Sequence, residues 1–303
     1  MIFVTGGTGF IGMRVLEKLK GDCVVLTRNQ NEQVTGLGIK MVLGDIADRA
    51  AYKDALENCD TVIHMAANVK ERDKDLWRVN VDGTQALLDA CDGQRFIFVS
   101  SIGIYGRYKE AIDENTPPKP QTDYERSKLA AEELVEQAGV PYTILRPTLA
   151  FGPNRYWRTI IKLVMKKFPV IGNGENCFHT VYVDDVADVI IKAMDSKHVN
   201  QDYNIASRDA LTLNETYDTI KDLLGMENKT RHVSKSLIYF LSHITKLMPN
   251  SVFIPSHIRR LTRNRLYDVE KAEKNGLACK TTFHDGISRV IEELGLNEGN
   301  LGT

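Results

Sequence analysis

The sequence predicts a doubly wound α/β fold, a parallel sheet with helices on both faces, followed by a smaller and mostly helical lobe. Three observations carry that expectation. The chain opens on an apolar run that breaks into a glycine cluster and then into apolar residues at helical spacing, Ile2-Phe3-Val4-Thr5-Gly6-Gly7-Thr8-Gly9-Phe10-Ile11-Gly12. Strand-length apolar runs then alternate with helix-length segments as far as Pro147, and right-handed crossovers turn that rhythm into a sheet covered above and below. Beyond Pro147 helical segments dominate.

The opening stretch sets the rest. Ile2 to Val4 read as a buried strand, and Phe10, Ile11, Val15, Leu16 and Leu19 mark one face of a helix. Gly7, Gly9 and Gly12 give G-x-G-x-x-G, while Gly6, Gly9 and Gly12 give a wider spacing after Thr5. Glycines there turn the chain sharply, let its backbone approach a pyrophosphate, and pack helix on strand. The helix N-terminus adds N–H groups and partial positive charge. An ordinary strand-to-helix turn is the plain alternative.

In order, Cys23 to Thr27 read as a second strand and Ile39 to Leu43 as a third, ending at Gly44-Asp45. A helix over Ala47 to Glu57 leads to a fourth strand, Thr61 to His64, followed by Met65-Ala66-Ala67. Leu76 to Cys91 is a long helix, Phe96 to Val99 a fifth strand, and Thr122 to Ala138 a helix stopped by Gly139. Tyr142 to Leu145 form a sixth strand, closed by Arg146-Pro147. Further on come a helix at Trp157 to Lys167, a turn at Gly172-Asn173-Gly174, a strand at Phe178 to Val183, a helix at Asp184 to Met194 and a short strand at Tyr203 to Ala206. Residues 1–150 are expected to form the dinucleotide-binding core, with 178–206 returning to it. Residues 151–177 and 207–303 make a substrate lobe over the C-terminal strand ends.

Composition narrows the class. The 303 residues are 43% apolar and 26% charged with a net charge of −1, which suits a globular chain and shows no bias toward nucleic acid or an anionic surface. Five cysteines lie far apart with no C-x-x-C pair, so they read as reduced core residues, and the histidines show no ligand spacing, so no metal is assigned. The longest apolar stretch, Leu237 to Met248, is too short and interrupted to span a bilayer. The expectation is a cytoplasmic enzyme with a small-molecule substrate, no nucleic-acid partner and no integral membrane segment. A homodimer is left open.

Tyr124-Glu125-Arg126-Ser127-Lys128 begins the helix after the fifth strand, which puts Tyr124 and Lys128 on one face a turn apart. A phenol beside an ammonium is more easily ionised and can pass a proton near neutral pH. Ser100-Ser101 at the end of the fifth strand offer a hydroxyl to the same substrate oxygen. A packed tyrosine with a solvated lysine is the plain alternative. Asp184 and Asp185 at a strand-to-helix junction read as helix caps.

These segments taken in order, TGGTGFIG at 5–12, GD at 44–45, HMAA at 64–67, NVDGT at 80–84, SSIGIYG at 100–106, YERSK at 124–128, LRP at 145–147, FGP at 151–153 and VDDVA at 183–187, resemble the extended short-chain dehydrogenase/reductase family, also called the NAD-dependent epimerase/dehydratase family, with its Rossmann fold. The resemblance implies that Tyr124 is the proton donor or acceptor, that Lys128 lowers its pKa and holds the nicotinamide ribose, and that Ser101 polarises the carbonyl. It implies a cofactor site made of Gly6, Gly7, Thr8, Gly9, Phe10, Ile11 and Gly12, with Asp45 and Ile46 near the adenine and Met65, Ala66 and Ala67 along the groove. Asn80 also suits a structural hydrogen bond. Arg28 follows the second strand where NAD-binding folds place a carboxylate, so NADP(H) is expected over NAD(H).

Two departures bear on the substrate. Family dehydratases carry an Asp-Glu pair after the serine or threonine position, and here Ile102 and Gly103 stand there. Nucleotide-sugar members tend to carry an arginine before the strand into V-D-D-V, where this chain has Asn176-Cys177-Phe178-His179-Thr180; Arg155, Arg158 and Arg208 are substitutes. The stripe of Leu237, Phe240, Leu241, Ile244, Leu247 and Met248 is core packing, the roof of an apolar pocket or a face that touches a membrane surface, and such a lobe resembles the hydroxysteroid-dehydrogenase and dihydroflavonol-reductase branch. The expectation is therefore an oxidoreductase acting on a relatively apolar alcohol or carbonyl contacted by Trp157. A nucleotide-sugar epimerase with retained cofactor is the alternative, and a non-catalytic cofactor-sensing protein is disfavoured by the intact Ser101, Tyr124 and Lys128.

Overall fold

A computed structural model describes residues 1–227, 230–238, 240 and 263–296. Its centre is a seven-stranded parallel sheet built from β1 (Ile2–Thr5), β2 (Cys23–Thr27), β3 (Lys40–Leu43), β4 (Thr61–His64), β5 (Arg95–Val99), β6 (Tyr142–Pro147) and β10 (Gln201–Ile205). In space the order is β10-β6-β5-β4-β1-β2-β3. The chain winds outward from β1 in both directions, so the order reverses between β1 and β4, and a crevice opens there at the C-terminal strand ends. Thr5 pairs with Leu26 on one side and His64 on the other, which brings the glycine loop, the residues after β2 and the Met65-Ala66-Ala67 segment to one edge.

Why these segments became strands is plain from burial. Cys23 to Thr27 are all buried, and Phe96 to Val99 are buried as a run, as a sheet with both faces covered requires. One face is covered by α1 (Phe10–Leu19) and α7 (Val183–Lys192), where Val15, Leu16 and Leu19 meet Val186, Val189 and Ile190. On the other face Leu87 and Leu88 of α4 (Gly83–Leu88) and Ala131 and Val135 of α5 (Asp123–Gln137) pack on Phe96, Phe98 and Ile144. Thr122 and Glu125 form a capping box at the start of α5, and Gly139, left-handed with φ of 72°, closes its far end.

The second lobe has a core of its own. β7 (Leu149–Phe151), β9 (Cys177–Tyr182) and β11 (Ala210–Thr212) make a three-stranded sheet. Against it lie α6 (Arg155–Met165), α8 (Leu213–Leu223) and α10 (Phe283–Glu293), with Phe151, Trp157, Tyr182, Ile220, Phe283 and Ile287 at the centre. β9 thus pairs within this small sheet, while α7 and β10, which follow it, lie on the central one. A third pairing joins β8 (Val170–Ile171) to β12 (His232–Val233), and α9 (Glu270–Lys274) lies beside β10.

Several elements differ from the expectation. The segment 47–57 is a 3-10 turn at Arg49–Ala51 and a four-residue helix α3 (Lys53–Leu56), because Tyr52 between them leaves helical geometry. Helix α2 (Glu32–Gly36) was not foreseen; the Asn31 side chain caps it by accepting from the Val34 amide at 3.1 Å. The long helix before β5 contains a π-helical turn, Arg78–Asp82. Asp184 and Asp185 do not cap α7: Asp184 pairs with Arg14 at 3.3 Å, and Asp185 accepts from the amide and hydroxyl of Thr281. Among the described residues no helix is long and apolar enough to cross a membrane.

Candidate active site

The glycine loop is a cradle with no space for side chains on its inner side. Gly6 has φ of 71°, and a Cβ there would fall 2.5 Å from the Ala66 amide nitrogen. A Cβ on Gly12 would fall 2.1 Å from the Gly6 carbonyl oxygen. Gly9 differs, since a Cβ there would meet only the Gly6 carbonyl at 3.2 Å, and Thr8 and Gly9 are exposed. The outward face at Gly9 is therefore open to a ligand. No side chain caps α1 and its first turn holds no acidic residue, so its amides and dipole suit an anion. These residues fit the pyrophosphate of a dinucleotide. Phe10 and Ile11 turn their side chains away, into the core of the second lobe, with the Phe10 ring against Gly152.

At the far side of the crevice Arg28 is exposed just past β2. The Gly44 amide donates to the Thr27 carbonyl at 2.9 Å, which sets Asp45 alongside. Asp45 is gripped by Arg78 through Nη1 to Oδ1 at 2.8 Å and Nη2 to Oδ2 at 3.0 Å. Arg78, then the Ala47 amide, hold its carboxyl below the usual carboxylate range. The Ile46 side chain is buried in the core, and its carbonyl accepts from the Tyr52 hydroxyl. Met65 and Ala66 are half-buried and Ala67 is exposed; the Met65 and Ala66 amides are held by the Thr5 carbonyl and hydroxyl.

Ser101 and the Lys128 ammonium lie at the C-terminal end of β5, and Tyr124 sits on the first turn of α5. Ser101 caps the 3-10 turn Ile102–Tyr105, its Oγ accepting from the Gly103 amide at 3.1 Å. Lys128 is buried, and its Nζ donates to the Val99 carbonyl at 2.9 Å with the Phe98 ring 4.0 Å away. Burial pushes its ammonium down to about 7, with Glu132 pulling the other way. Tyr124 is half-buried, one turn before Lys128 on α5. Gly103 is where the two parts touch: a Cβ there would fall 3.0 Å from Glu125 Cγ and 3.2 Å from Ser101 Oγ. The buried side chain of Glu125 thus occupies the room beside Gly103 that a longer residue would take.

Three residues that the motifs undervalued hold this arrangement. Asn80, on the π-helical turn, accepts from the Asn68 amide at 2.7 Å and donates to the Asn68 carbonyl and to Ser127 Oγ at 2.8 Å, so it ties the loop after β4 to α5. Arg146 is buried on β6 and grips Glu132 of α5, Tyr105 and Asp202. Glu71 accepts from the Tyr124 amide at 3.3 Å. His64 is fully buried between the Thr5 and Thr84 hydroxyls at 2.7 and 2.9 Å, and burial, then Lys128, lowers its pKa to about 3.

On the substrate side the structure corrects the expected apolar contacts. Trp157 is 1% exposed, packed among Tyr156, Phe151 and Phe283, and donates to the Ala150 carbonyl. Phe178 and His179 are buried too, and His179 Nδ1 accepts from the Tyr267 amide. These are core residues of the lobe. Of the expected stripe, Leu237 and Phe240 are exposed, whereas residues 241–248 lie outside the described residues. Arg155, Arg158 and Arg208 are exposed. Arg265, which no motif pointed to, is bridged to Phe178: its amide donates to the Cys177 carbonyl at 2.8 Å and its carbonyl accepts from the His179 amide at 3.1 Å.

Comparison with known proteins adds to this geometry. A family model described as "NAD dependent epimerase/dehydratase family" matches residues 2–206. The chain is 25% identical over 313 residues to the Escherichia coli O157:H7 N-acetyl-alpha-D-glucosaminyl-diphospho-ditrans,octacis-undecaprenol 4-epimerase, covering 96% of this chain and 94% of that one. It is also 25% identical over 346 residues to the Arabidopsis thaliana 3beta-hydroxysteroid-dehydrogenase/decarboxylase isoform 2, covering 95% of this chain and 61% of that one. Among solved structures it is similar in fold to UDP-glucose 4-epimerase with UDP-glucose from Thermotoga maritima, with a TM-score of 0.77, 23% identity, and 97% and 98% of the two chains covered. UDP-glucuronic acid 4-epimerase from Bacillus cereus in complex with NAD is equally similar at a TM-score of 0.77, with 20% identity and the same coverage of both chains.

Proposed function

The chain belongs to the NAD dependent epimerase/dehydratase family, and from that premise we propose that it transfers hydride at a secondary alcohol or ketone of a diphosphate-linked sugar. NADP(H) is its preferred cofactor, with NAD(H) the lesser ligand, and the net reaction is epimerisation. The dinucleotide supplies the hydride acceptor and donor. Tyr124 would take the proton from the substrate hydroxyl on oxidation and return it to the same oxygen on reduction. Ser101 hydrogen-bonds the same oxygen, and Lys128, in its protonated form, favours the phenolate of Tyr124. Gly6 to Gly12 receive the pyrophosphate, and Arg28 the 2′-phosphate.

The choice of substrate assigns the diphosphate to Arg265, whose backbone is bridged to Phe178. A diphosphate needs fixed cations, because burying its charges unpaired costs more than apolar contacts return, and a guanidinium meets phosphate as a fork. The observation that carries this choice is Trp157, expected to contact an apolar substrate and found instead in the core of the second lobe. The printed name of the Escherichia coli relative, a 4-epimerase of a sugar diphosphate on a polyprenol, supports the same reading. A second reading is net oxidoreduction of an apolar alcohol, favoured by the exposed Leu237 and Phe240 and by the hydroxysteroid-dehydrogenase relative.

The test is a substrate panel read two ways, by reduced-nicotinamide absorbance and by stereochemistry. Diphosphate-linked sugars should be inverted without net cofactor consumption, and Arg265→Ala should weaken their binding. Steady NADPH loss with bulky apolar ketones, and none of the former, would select the second reading. On the cofactor side, NADPH should bind at least about tenfold tighter than NADH, about 1.4 kcal/mol, and Arg28→Ala should erase most of that. Equal affinities in the wild type would refute the NADP(H) assignment.

A further inference from the structure

Arg78 belongs to neither the glycine motif nor the Tyr124–Lys128 motif, yet it reaches the cofactor crevice. It lies on the π-helical turn Arg78–Asp82, and such widened turns often redirect side chains at functional sites. The same turn sends Asn80 to Asn68 and Ser127, while Arg78 forks onto Asp45 and reaches Asp75 with Nε at 3.3 Å. The side chains of Arg78 and Asp45 are 42% and 33% exposed, so a ligand lying over the ends of β2 and β3 meets this pair directly. Arg28 stands on the neighbouring strand end, through the Thr27–Gly44 hydrogen bond.

We propose that Arg78 sets cofactor specificity by clamping Asp45, cancelling a carboxylate at the adenine end of the crevice that would otherwise repel a 2′-phosphate, so that Arg28 can receive that phosphate. The inference rests on the assignment of Arg28 to that phosphate. A bare carboxylate at this edge repels a 2′-phosphate held by Arg28 on the neighbouring strand end. Forked onto Arg78, its oxygens are engaged and the pair carries no net charge. One uncompensated carboxylate about 7 Å from a phosphate dianion in watery surroundings lowers its affinity by about tenfold. A lysine at 78 would supply charge without the fork and should keep part of the effect.

The probes are adenosine fragments, 2′,5′-ADP and 5′-AMP, titrated calorimetrically against the full chain. Their affinity ratio isolates the 2′-phosphate and cancels any general loss of stability. Arg78→Ala should lower the ratio about tenfold, Asp45→Asn should leave it no lower than wild type, and the double variant Arg78→Ala/Asp45→Asn should return it close to wild type. A ratio unchanged in Arg78→Ala, or a double variant as low as the single one, would overturn the proposal. The Arg28 assignment is judged separately. A wild type that takes both fragments equally would refute that assignment, and a further fall of the ratio in Arg78→Ala would still support the screening of Asp45.

Discussion

Burying Lys128 should leave a signature in the pH dependence of stability. Its side chain is 2% exposed, its ammonium is held by one carbonyl, and burial lowers its pKa from 10.5 to about 7. Below about pH 7 both the folded and unfolded chains carry the proton, and the folded state bears the full cost of a buried charge. Between about 7 and 10.5 the folded chain has released the proton while the unfolded chain keeps it, so this cost shrinks as pH rises. Lys128→Met removes the charge and roughly keeps the volume. Relative to wild type the variant should therefore gain most at low pH, and that gain should fall by about 2.7 kcal/mol between pH 6 and pH 9, two units at about 1.36 kcal/mol each. Urea unfolding of both proteins at the two pH values reads the difference directly, and the subtraction cancels the other titrating groups. A gap that does not change with pH would show that Lys128 keeps an ordinary pKa.

Three further outcomes follow from the site. Tyr124→Phe should lower turnover by about 10²–10⁴-fold while cofactor still binds; near-normal turnover would remove Tyr124 from the chemistry. Arg146→Met strands the buried carboxylate of Glu132 and should cost about 3–5 kcal/mol in urea unfolding, with Glu132→Leu in the same chain recovering much of it; a loss below about 1 kcal/mol would mean the network does not brace α5. Gly103→Ala forces a Cβ against Glu125 and Ser101 and should cut kcat about tenfold with KM little changed, whereas unchanged kinetics would mean the contact is slack.

What was legible in the sequence was whatever depends on local pattern. β2 and β4 fall where the apolar runs put them, and α5 where its capping threonine and terminal glycine put it. The glycine loop could be read because its backbone geometry demands glycine. Residues acting across the fold were not legible. Arg78 meets Asp45, Arg146 meets Glu132, and Arg265 meets Phe178 only after distant segments pack. Trp157 shows the converse, because the apolar face of a helix has the same spacing whether it lines a pocket or a core, and here it lines the core of the second lobe. The π-helical turn was invisible for a related reason: widening one turn leaves the apolar period of the surrounding helix almost unchanged.

The account rests on reversible hydride transfer at a diphosphate-linked sugar, and one experiment addresses that most directly. The protein is incubated with oxidised cofactor and UDP- or polyprenyl-diphospho-sugars, and the products are followed by proton NMR while absorbance at the reduced-nicotinamide band is recorded. The account predicts an equilibrium mixture of two epimers, no net absorbance change, and no conversion by the Tyr124→Phe variant. Sugars left unchanged, with absorbance instead falling steadily when NADPH and an apolar ketone are supplied, would contradict it.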